Sequence, residues 1–128
     1  MPEPGGTPIA TAIELLAEAN RCKAEGRYSE AERLYRFCRK LAAANRRSTR
    51  VRLAVLTEMG DLWCLQGRFA AAEVLLNRCL RVAEASLSAN DPQTASTCNA
   101  LAVVYKYLGR YAAAEELYLR TQIGRAHV

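Results

Sequence analysis

One nine-residue pattern occurs three times in this chain and constrains its fold more than any other feature. The copies begin at Gly26, Gly67 and Gly109, so they lie 41 and then 42 residues apart. Every copy has Gly, Arg, Ala, Glu and Leu at the same places, and the residue two positions after the glycine is aromatic. Agreement of this kind at a nearly constant period indicates three copies of one structural unit.

Small residues flank each glycine at two fixed places, seven before it and five after it, and larger side chains stand four before and nine after. Small residues let two helices approach closely, and the larger ones fill the space around that contact. The glycine itself ends the first helix, where a positive φ is needed. Each unit is therefore predicted to be a helix, a tight turn and an antiparallel helix. The small positions are Ala19, Gly60, Ala102, Ala31, Ala72 and Ala114, and the larger ones are Cys22, Trp63, Tyr105, Tyr35, Leu76 and Tyr118.

Helix limits follow from capping residues. Thr7 and Asp91 each precede a proline, the usual arrangement of an N-cap followed by the first helical residue. Ser48 or Thr49 is expected to open the third helix. No segment has the two-residue alternation of a strand, so the fold is predicted to be all-α. The predicted helices are 8–25, 29–45, 49–66, 70–87, 92–108 and 112–122.

The pattern of small, aromatic, Gly and Ala residues resembles the tetratricopeptide repeat, whose usual length is about 34 residues. The longer period, together with segments 88–95 (SANDPQTA) and 97–105 (TCNALAVVY), is similar to the kinesin light chain type of this repeat. The resemblance implies an α-solenoid of three antiparallel helix-turn-helix repeats in a right-handed superhelix. The first unit departs from the family pattern at Glu18 and Cys22, so looser packing is expected there. The predicted repeats are 8–45, 46–87 and 88–122, the third being truncated.

The two ends of the chain are predicted to lie outside the repeats. Residues 1–7 are expected to be disordered. Residues 123–128 (IGRAHV) fit no helix of the repeat and match the translation of a widely used sequencing adapter, so they are interpreted as a non-native tail. A solenoid without a final capping helix exposes an apolar end. Self-association through that end is therefore a further expectation.

Composition favours one domain without chemistry of its own. The chain has 128 residues and a net charge of +5, and it contains neither an apolar run that could cross a membrane nor a secretory leader. Its five cysteines include no C-x-x-C pair, so buried thiols in a reducing, cytoplasmic compartment are expected. His127 is the only histidine, and there is no phosphate-binding glycine loop. We predict no enzyme activity, no metal and no cofactor.

A polar face on the first helix of each unit is the predicted binding surface. Stacked repeats of the family present these helices to a concave groove, which implies a peptide or protein partner. Amide side chains there are suited to a peptide backbone, the lysines to acidic side chains, and Tyr107 to an anchoring contact. A clamp for a terminal carboxylate is not supported, because Glu58 would repel it. The predicted groove residues are Asn20, Lys23, Thr57, Glu58, Asp61, Cys64, Ser96, Asn99, Val103, Lys106 and Tyr107.

A run of basic residues between positions 36 and 52 is a second candidate surface, because no acidic residue interrupts residues 33–52. It is suited to acidic partners, whereas nucleic acid is not favoured since the run lacks interleaved aromatic residues for base stacking. The predicted function is a protein–protein interaction module that uses the groove. The alternative is a scaffold or adaptor segment of a larger signalling or motor-associated protein, in which the basic run at 36–52 contacts acidic partners or RNA. The predicted basic patch is Arg46, Arg47, Arg50 and Arg52.

Overall fold

The computed structural model describes the backbone of residues 8–43 and 48–126 and the side chains of 10–43 and 48–121. In this part of the chain there are six α-helices and no strand. Most predicted limits agree within two residues, although the end of the second predicted helix falls at positions not described. The helices are α1 (Pro8–Ala24), α2 (Tyr28–Ala43), α3 (Thr49–Leu65), α4 (Phe69–Ser86), α5 (Pro92–Tyr107) and α6 (Tyr111–Ala126).

The C-terminal segment corrects one prediction. Helix α6 continues to Ala126, four residues beyond the predicted end, so positions 123–126 are helical, while the interpretation of 123–128 as a non-native tail stays a prediction. Alanine and arginine in this segment are good helix formers, which allows the helix to propagate through Gly124. The predicted disorder of residues 1–7 and the cap at Thr7 lie outside the described residues, as do residues 127–128 and the side chains of 122–126.

The three repeated glycines end α1, α3 and α5 as predicted. Their φ angles are 79°, 78° and 79°, in the left-handed region that glycine adopts without strain. After α3, the amide of Arg68 donates to the carbonyl of Trp63 at 2.8 Å and that of Gly67 to Cys64 at 3.0 Å. This pair of bonds is a Schellman motif, which satisfies the last carbonyls and reverses the chain.

Helices pack first within each hairpin and then between neighbouring hairpins. Contacts join α1 with α2, α3 with α4 and α5 with α6, while α3 contacts both α1 and α5. Within each hairpin the small columns form the close contact: Ala31, Ala72 and Ala102 are fully buried. At Gly60 the approach leaves no room for a side chain, because a Cβ atom there would lie 2.6 Å from Cγ of Leu76. The first helices of the units therefore form one continuous layer, and the second helices form another.

Burial of the larger side chains differs along the stack. Tyr35 and Leu76 are fully buried, whereas Tyr118 at the corresponding place of the last hairpin is 37% exposed. The looser packing expected at Cys22 in the first hairpin is not observed, since Cys22 is only 1% exposed. Glu18 lies at the surface and forms an ion pair with Arg21. Both departures from the family pattern are therefore compatible with the fold, since Cys22 is a small buried thiol and Glu18 is a charged residue at the surface.

The start of α5 is fixed by Asp91, as its sequence predicts. The Asp91 carboxylate accepts from the amide of Gln93 at 2.8 Å and also receives two guanidinium bonds from Arg50 at 2.6 Å each. The hydrogen bonds from Arg50 lower the pKa of Asp91 below its ordinary value of 3.8. At the other predicted start, Ser48 precedes α3 but does not cap it, because its hydroxyl donates to the carbonyl of Ala42.

The Asp91–Arg50 pair predicts a specific loss of stability in acid. Because the pKa of Asp91 is lowered on folding, its contribution is present above pH 3.8 and is lost as pH falls through the lower folded-state value. We expect Asp91→Asn, which keeps a good N-cap, to unfold at a lower temperature than the wild type at pH 7. The two melting temperatures should converge near pH 2. Thermal melts followed by circular dichroism across this range test the prediction, and a gap that widens in acid would contradict it.

All five cysteines are free and buried, as expected from their positions: Cys22, Cys38, Cys64, Cys79 and Cys98. Burial raises the pKa of Cys38 and of Cys79 to about 11, so both stay protonated at neutral pH. These thiols act as small apolar core residues. No helix in the described part of the chain is long and apolar enough to cross a membrane.

Candidate partner-binding groove

An open depression of about 300 Å³ lies between α3 and α5, on the layer formed by the first helices. Residues three or four apart on successive turns of a helix lie on the same side, so polar side chains from both helices converge there. Six predicted groove residues line it, and Ala100 adds an apolar wall. The residues are Thr57, Glu58, Asp61, Ser96, Asn99, Ala100 and Val103. We call these seven residues the α3–α5 depression.

One edge of the α3–α5 depression is acidic. Lys23 of α1 forms ion pairs with Glu58 and, at 2.7 Å, with Asp61. Burial alone would lower the pKa of Lys23, but hydrogen bonds to Asp61 and Glu58 outweigh it and raise that pKa above 10.5. One ammonium group thus faces two carboxylates, which leaves an excess of one negative charge. Lys23 is 13% exposed and already paired, so the expectation that it meets acidic side chains of a partner is not supported.

The ion pairs of Lys23 predict a measurable loss of stability on substitution. In Lys23→Met the two carboxylates, each about one-third exposed, would face each other without a counter-charge. We expect the free energy of unfolding to fall by about 1–2 kcal/mol, between the values for exposed and buried pairs. Urea denaturation at pH 7 measures this. The triple variant Lys23→Met/Glu58→Gln/Asp61→Asn should regain most of the loss, and equal loss in both variants would contradict the electrostatic explanation.

Asn20 is held by the core rather than offered to a ligand. Its Oδ1 atom accepts from the hydroxyl of Tyr35 at 2.6 Å, and Tyr35 is fully buried. Burial and the negative charges of Glu58 and Asp61 raise the pKa of Tyr35 above its ordinary value of 10.0, so the hydroxyl remains a donor. Asn20 therefore links α1 to α2 within the first hairpin and does not line the α3–α5 depression.

Thr57, which lines the depression, is hydrogen-bonded to the buried Thr97 of α5. The hydroxyls of Thr57 and Thr97 lie 2.9 Å apart, and Thr97 also lies 3.0 Å from the carbonyl of Gln93, to which it donates. The side-chain amide of Gln93 donates to Thr57 at 3.3 Å. Thr57 and Thr97 are 3% and 0% exposed, so both hydroxyls need these internal partners. Thr57 is thus a structural contact between α3 and α5, not a group available to a ligand.

Two polar side chains of the depression remain available. Ser96 is exposed and Asn99 is half-buried, and neither side chain bonds to another described residue. An amide offers donors and an acceptor together, which suits it to a peptide backbone. Val103 and Ala100 provide apolar surface beside them. The depression therefore combines backbone-binding groups with an acidic edge.

Lys106, Tyr107 and Cys64 do not line the depression. Tyr107 is 62% exposed and its ring stacks on Phe69 at a centroid distance of 5.4 Å, which turns it toward the start of α4. Cys64 is buried in the core shared by the second and third hairpins. Lys106 is exposed near the end of α5 and pairs with no acidic residue among those described. Helical spacing alone did not distinguish these positions, since they lie at the margin of the same face.

The predicted basic patch is divided by the fold. Arg50 is engaged by Asp91, 41 residues later in the chain, while Arg46 and Arg47 lie outside the described residues. Arg52 instead borders a second cleft, where Arg78 of α4 also lies. Sequence reasoning missed Arg78 because it lies on α4, the second helix of the same predicted repeat, outside the basic run at 36–52. The charge pattern of the two helices read together could have found it.

Comparisons with known proteins agree with the helical-repeat fold. The family model described as "Tetratricopeptide repeat" matches residues 51–121, more than half of the chain. The crystal structure of BtubC (BKLC) from P. vanneervenii is similar in fold, with a TM-score of 0.74 and 20% sequence identity. The similarity covers 94% of this chain and 56% of that one, so this chain spans just over half of that structure's length. No curated protein matches in sequence. The three glycine-ended helical hairpins and the family match together show that the chain belongs to the tetratricopeptide repeat family.

Proposed function

We propose that the chain is a protein–protein interaction module that binds a peptide segment in the groove at the α3–α5 depression. The observation that carries the proposal is the convergence of unpaired Ser96 and Asn99 with the acidic edge of Glu58 and Asp61. Tetratricopeptide repeats generally mediate protein–protein interaction, and the described site geometry suits recognition rather than bond-making chemistry. We therefore propose a non-catalytic role.

The charge of the depression specifies the ligand. A partner with a lysine or arginine side chain, or a free amino terminus, would neutralise the excess carboxylate beside Lys23. Backbone amides and carbonyls of the same segment would bond to Asn99 and Ser96, and an aliphatic side chain would rest on Val103. This ligand has the opposite charge to the one expected from the lysines alone.

Peptide display against the purified chain, followed by calorimetric titration of the selected peptides, tests the proposal. We expect the selected peptides to carry a basic residue and Asn99→Ala to weaken their binding about 5- to 10-fold, the usual effect of losing one or two hydrogen bonds. The matched control is Glu115→Gln, an exposed position on α6 that should leave affinity unchanged. Selected peptides that bind Asn99→Ala and the wild type equally would contradict the proposal.

A second candidate function is that of a scaffold or adaptor segment, and the divided charge of the two layers favours it. The first helices present an acidic depression, whereas arginines collect on the other layer. Two surfaces of opposite charge could hold two partners at once. We also propose a cytoplasmic location, since all five thiols are free. A kinesin light chain-like subtype and self-association through the last hairpin stay predictions.

A further inference from the structure

A second cleft, of about 400 Å³, lies on the layer of second helices. No Cα atom of α2 lies within 8 Å of one in α4, and α3 forms the floor of the gap between these helices. The floor and walls are apolar, with Leu53 and Cys79 buried at the base. Three arginines stand around it. The residues of this arginine cleft are Arg39, Ala43, Arg52, Leu53, Leu56, Leu75, Arg78, Cys79 and Val82.

The charge of these three arginines is not neutralised by any carboxylate in the described part of the chain. Among the residues whose side chains are described, no carboxylate lies within ion-pair distance of Arg39, Arg52 or Arg78, although ten other ion pairs occur. The sequence places no acidic residue between positions 33 and 52. Within residues 10–43 and 48–121, the three guanidinium groups around this apolar cleft therefore lack counter-charges.

The repeat itself supplies an internal control for this cleft. Arg78 and Arg120 occupy the same place, 11 residues after the glycine of their units. In the gap between α4 and α6, Arg120 forms a 2.7 Å ion pair with Glu84. The residue corresponding to Glu84 one unit earlier is Ala43, which lines the arginine cleft. The equivalent carboxylate is thus absent where Arg78 needs it.

The shape and charge of the cleft favour a peptide as its occupant. Apolar pockets with a few charged groups at the rim bind ligands that combine both characters. The cleft is a gap open to solvent between two helices, whereas an acyl chain requires an enclosed tunnel to bury its length. A fatty acid also supplies only one negative charge, whereas three guanidinium groups favour a ligand with several carboxylates. An acidic segment with an aliphatic side chain meets both requirements.

We propose that the arginine cleft is a second binding site, which takes an acidic peptide segment of a partner protein. An aliphatic side chain of that segment occupies the apolar floor over Leu53 and Leu56, and its flanking carboxylates pair with Arg39, Arg52 and Arg78. The site lies on the opposite layer from the α3–α5 depression and does not depend on it. The chain can therefore hold two segments of opposite charge.

The probe is a fluorescein-labelled ten-residue peptide with two adjacent leucines between pairs of glutamates, measured by fluorescence anisotropy. We expect saturable binding to the wild-type chain that weakens with salt, as partly exposed ion pairs do. Ala43→Glu restores the carboxylate present in the next repeat and should weaken binding at least about tenfold, because it pairs with Arg78 and repels the probe. Arg78→Gln should weaken binding about fivefold.

Arg81→Gln is the matched control, because Arg81 is an exposed arginine of α4 that does not line the cleft. It should bind the probe like the wild type, and so should Asn99→Ala in the depression. Circular dichroism melts establish that Ala43→Glu remains folded. Equal affinity of Ala43→Glu and the wild type would overturn the proposal. The proposal would also be overturned if oligouridylate, or vesicles of phosphatidylcholine with phosphatidylserine, bound more tightly than the peptide probe and Ala43→Glu abolished that binding. A probe with glutamines in place of the glutamates should not bind.

Discussion

Trp63→Ala should lower the free energy of unfolding by about 3 kcal/mol, at the lower end of the range for truncating a large aromatic side chain because Trp63 is only partly buried. Trp63 packs against both the core of the first two hairpins and that of the last two. Its indole nitrogen donates to Glu32 at 3.1 Å, and the guanidinium of Arg68 lies 4.7 Å from its ring. Truncation removes contacts on both sides of the central hairpin.

Urea denaturation followed by far-ultraviolet circular dichroism measures this loss. The matched variant Trp63→Phe keeps an aromatic ring but not the hydrogen bond to Glu32, so we expect a loss of only about 1 kcal/mol. A difference of less than about 1 kcal/mol between Trp63→Ala and the wild type would contradict the role of Trp63 as the contact shared by two hairpin interfaces.

Leu76→Ala should lower the free energy of unfolding by about 3 kcal/mol, and it should reverse the effect of a second substitution at Gly60. Alone, Gly60→Ala places a methyl group 2.6 Å from Cγ of the fully buried Leu76, and the resulting overpacking costs about 1–3 kcal/mol. Once Leu76 is truncated, the methyl group enters empty space. Alanine is then the better helix residue by about 1 kcal/mol.

A double-mutant cycle of Gly60→Ala and Leu76→Ala tests this interpretation. We expect Gly60→Ala to destabilise the wild type but to stabilise the Leu76→Ala variant, a coupling of about 2 kcal/mol. Ala102→Gly provides the control, since its place in the last hairpin is the same but its loss should follow helix propensity and a small cavity alone. Additive effects of the two substitutions would contradict a close contact at this position.

The fold could be predicted from local signals because every repeat carries them. Gly26, Gly67 and Gly109 mark turns that need a positive φ, and small columns mark the close helix contacts. Where the prediction fails, the reason is a sequence match rather than a local signal: residues 123–128 are placed outside the last helix because they match a sequencing adapter, but α6 continues to Ala126. A single glycine in a run of helix-forming residues weakens a helix without ending it.

The candidate groove could be predicted only in part. Helical spacing correctly predicted the faces of α3 and α5 that carry Glu58, Asp61 and Asn99, because the face on which a residue lies is a property of its own helix. The pairing of Lys23 with α3 depends on how far apart two hairpins stand, which no single-helix pattern contains. Similarly, the sequence assigns Arg50 to a basic patch because no local pattern reveals its ion-pair partner Asp91, which lies 41 residues later in the chain.

The most direct test of peptide recognition in the groove is an amide chemical-shift titration of the isotopically labelled chain with a basic peptide selected by display. We predict that the largest shifts cluster on α3 and α5 around Asp61, Asn99 and Val103, with α6 unchanged. Shifts confined to α2, α4 or α6, with none around these three residues, would contradict binding in the groove.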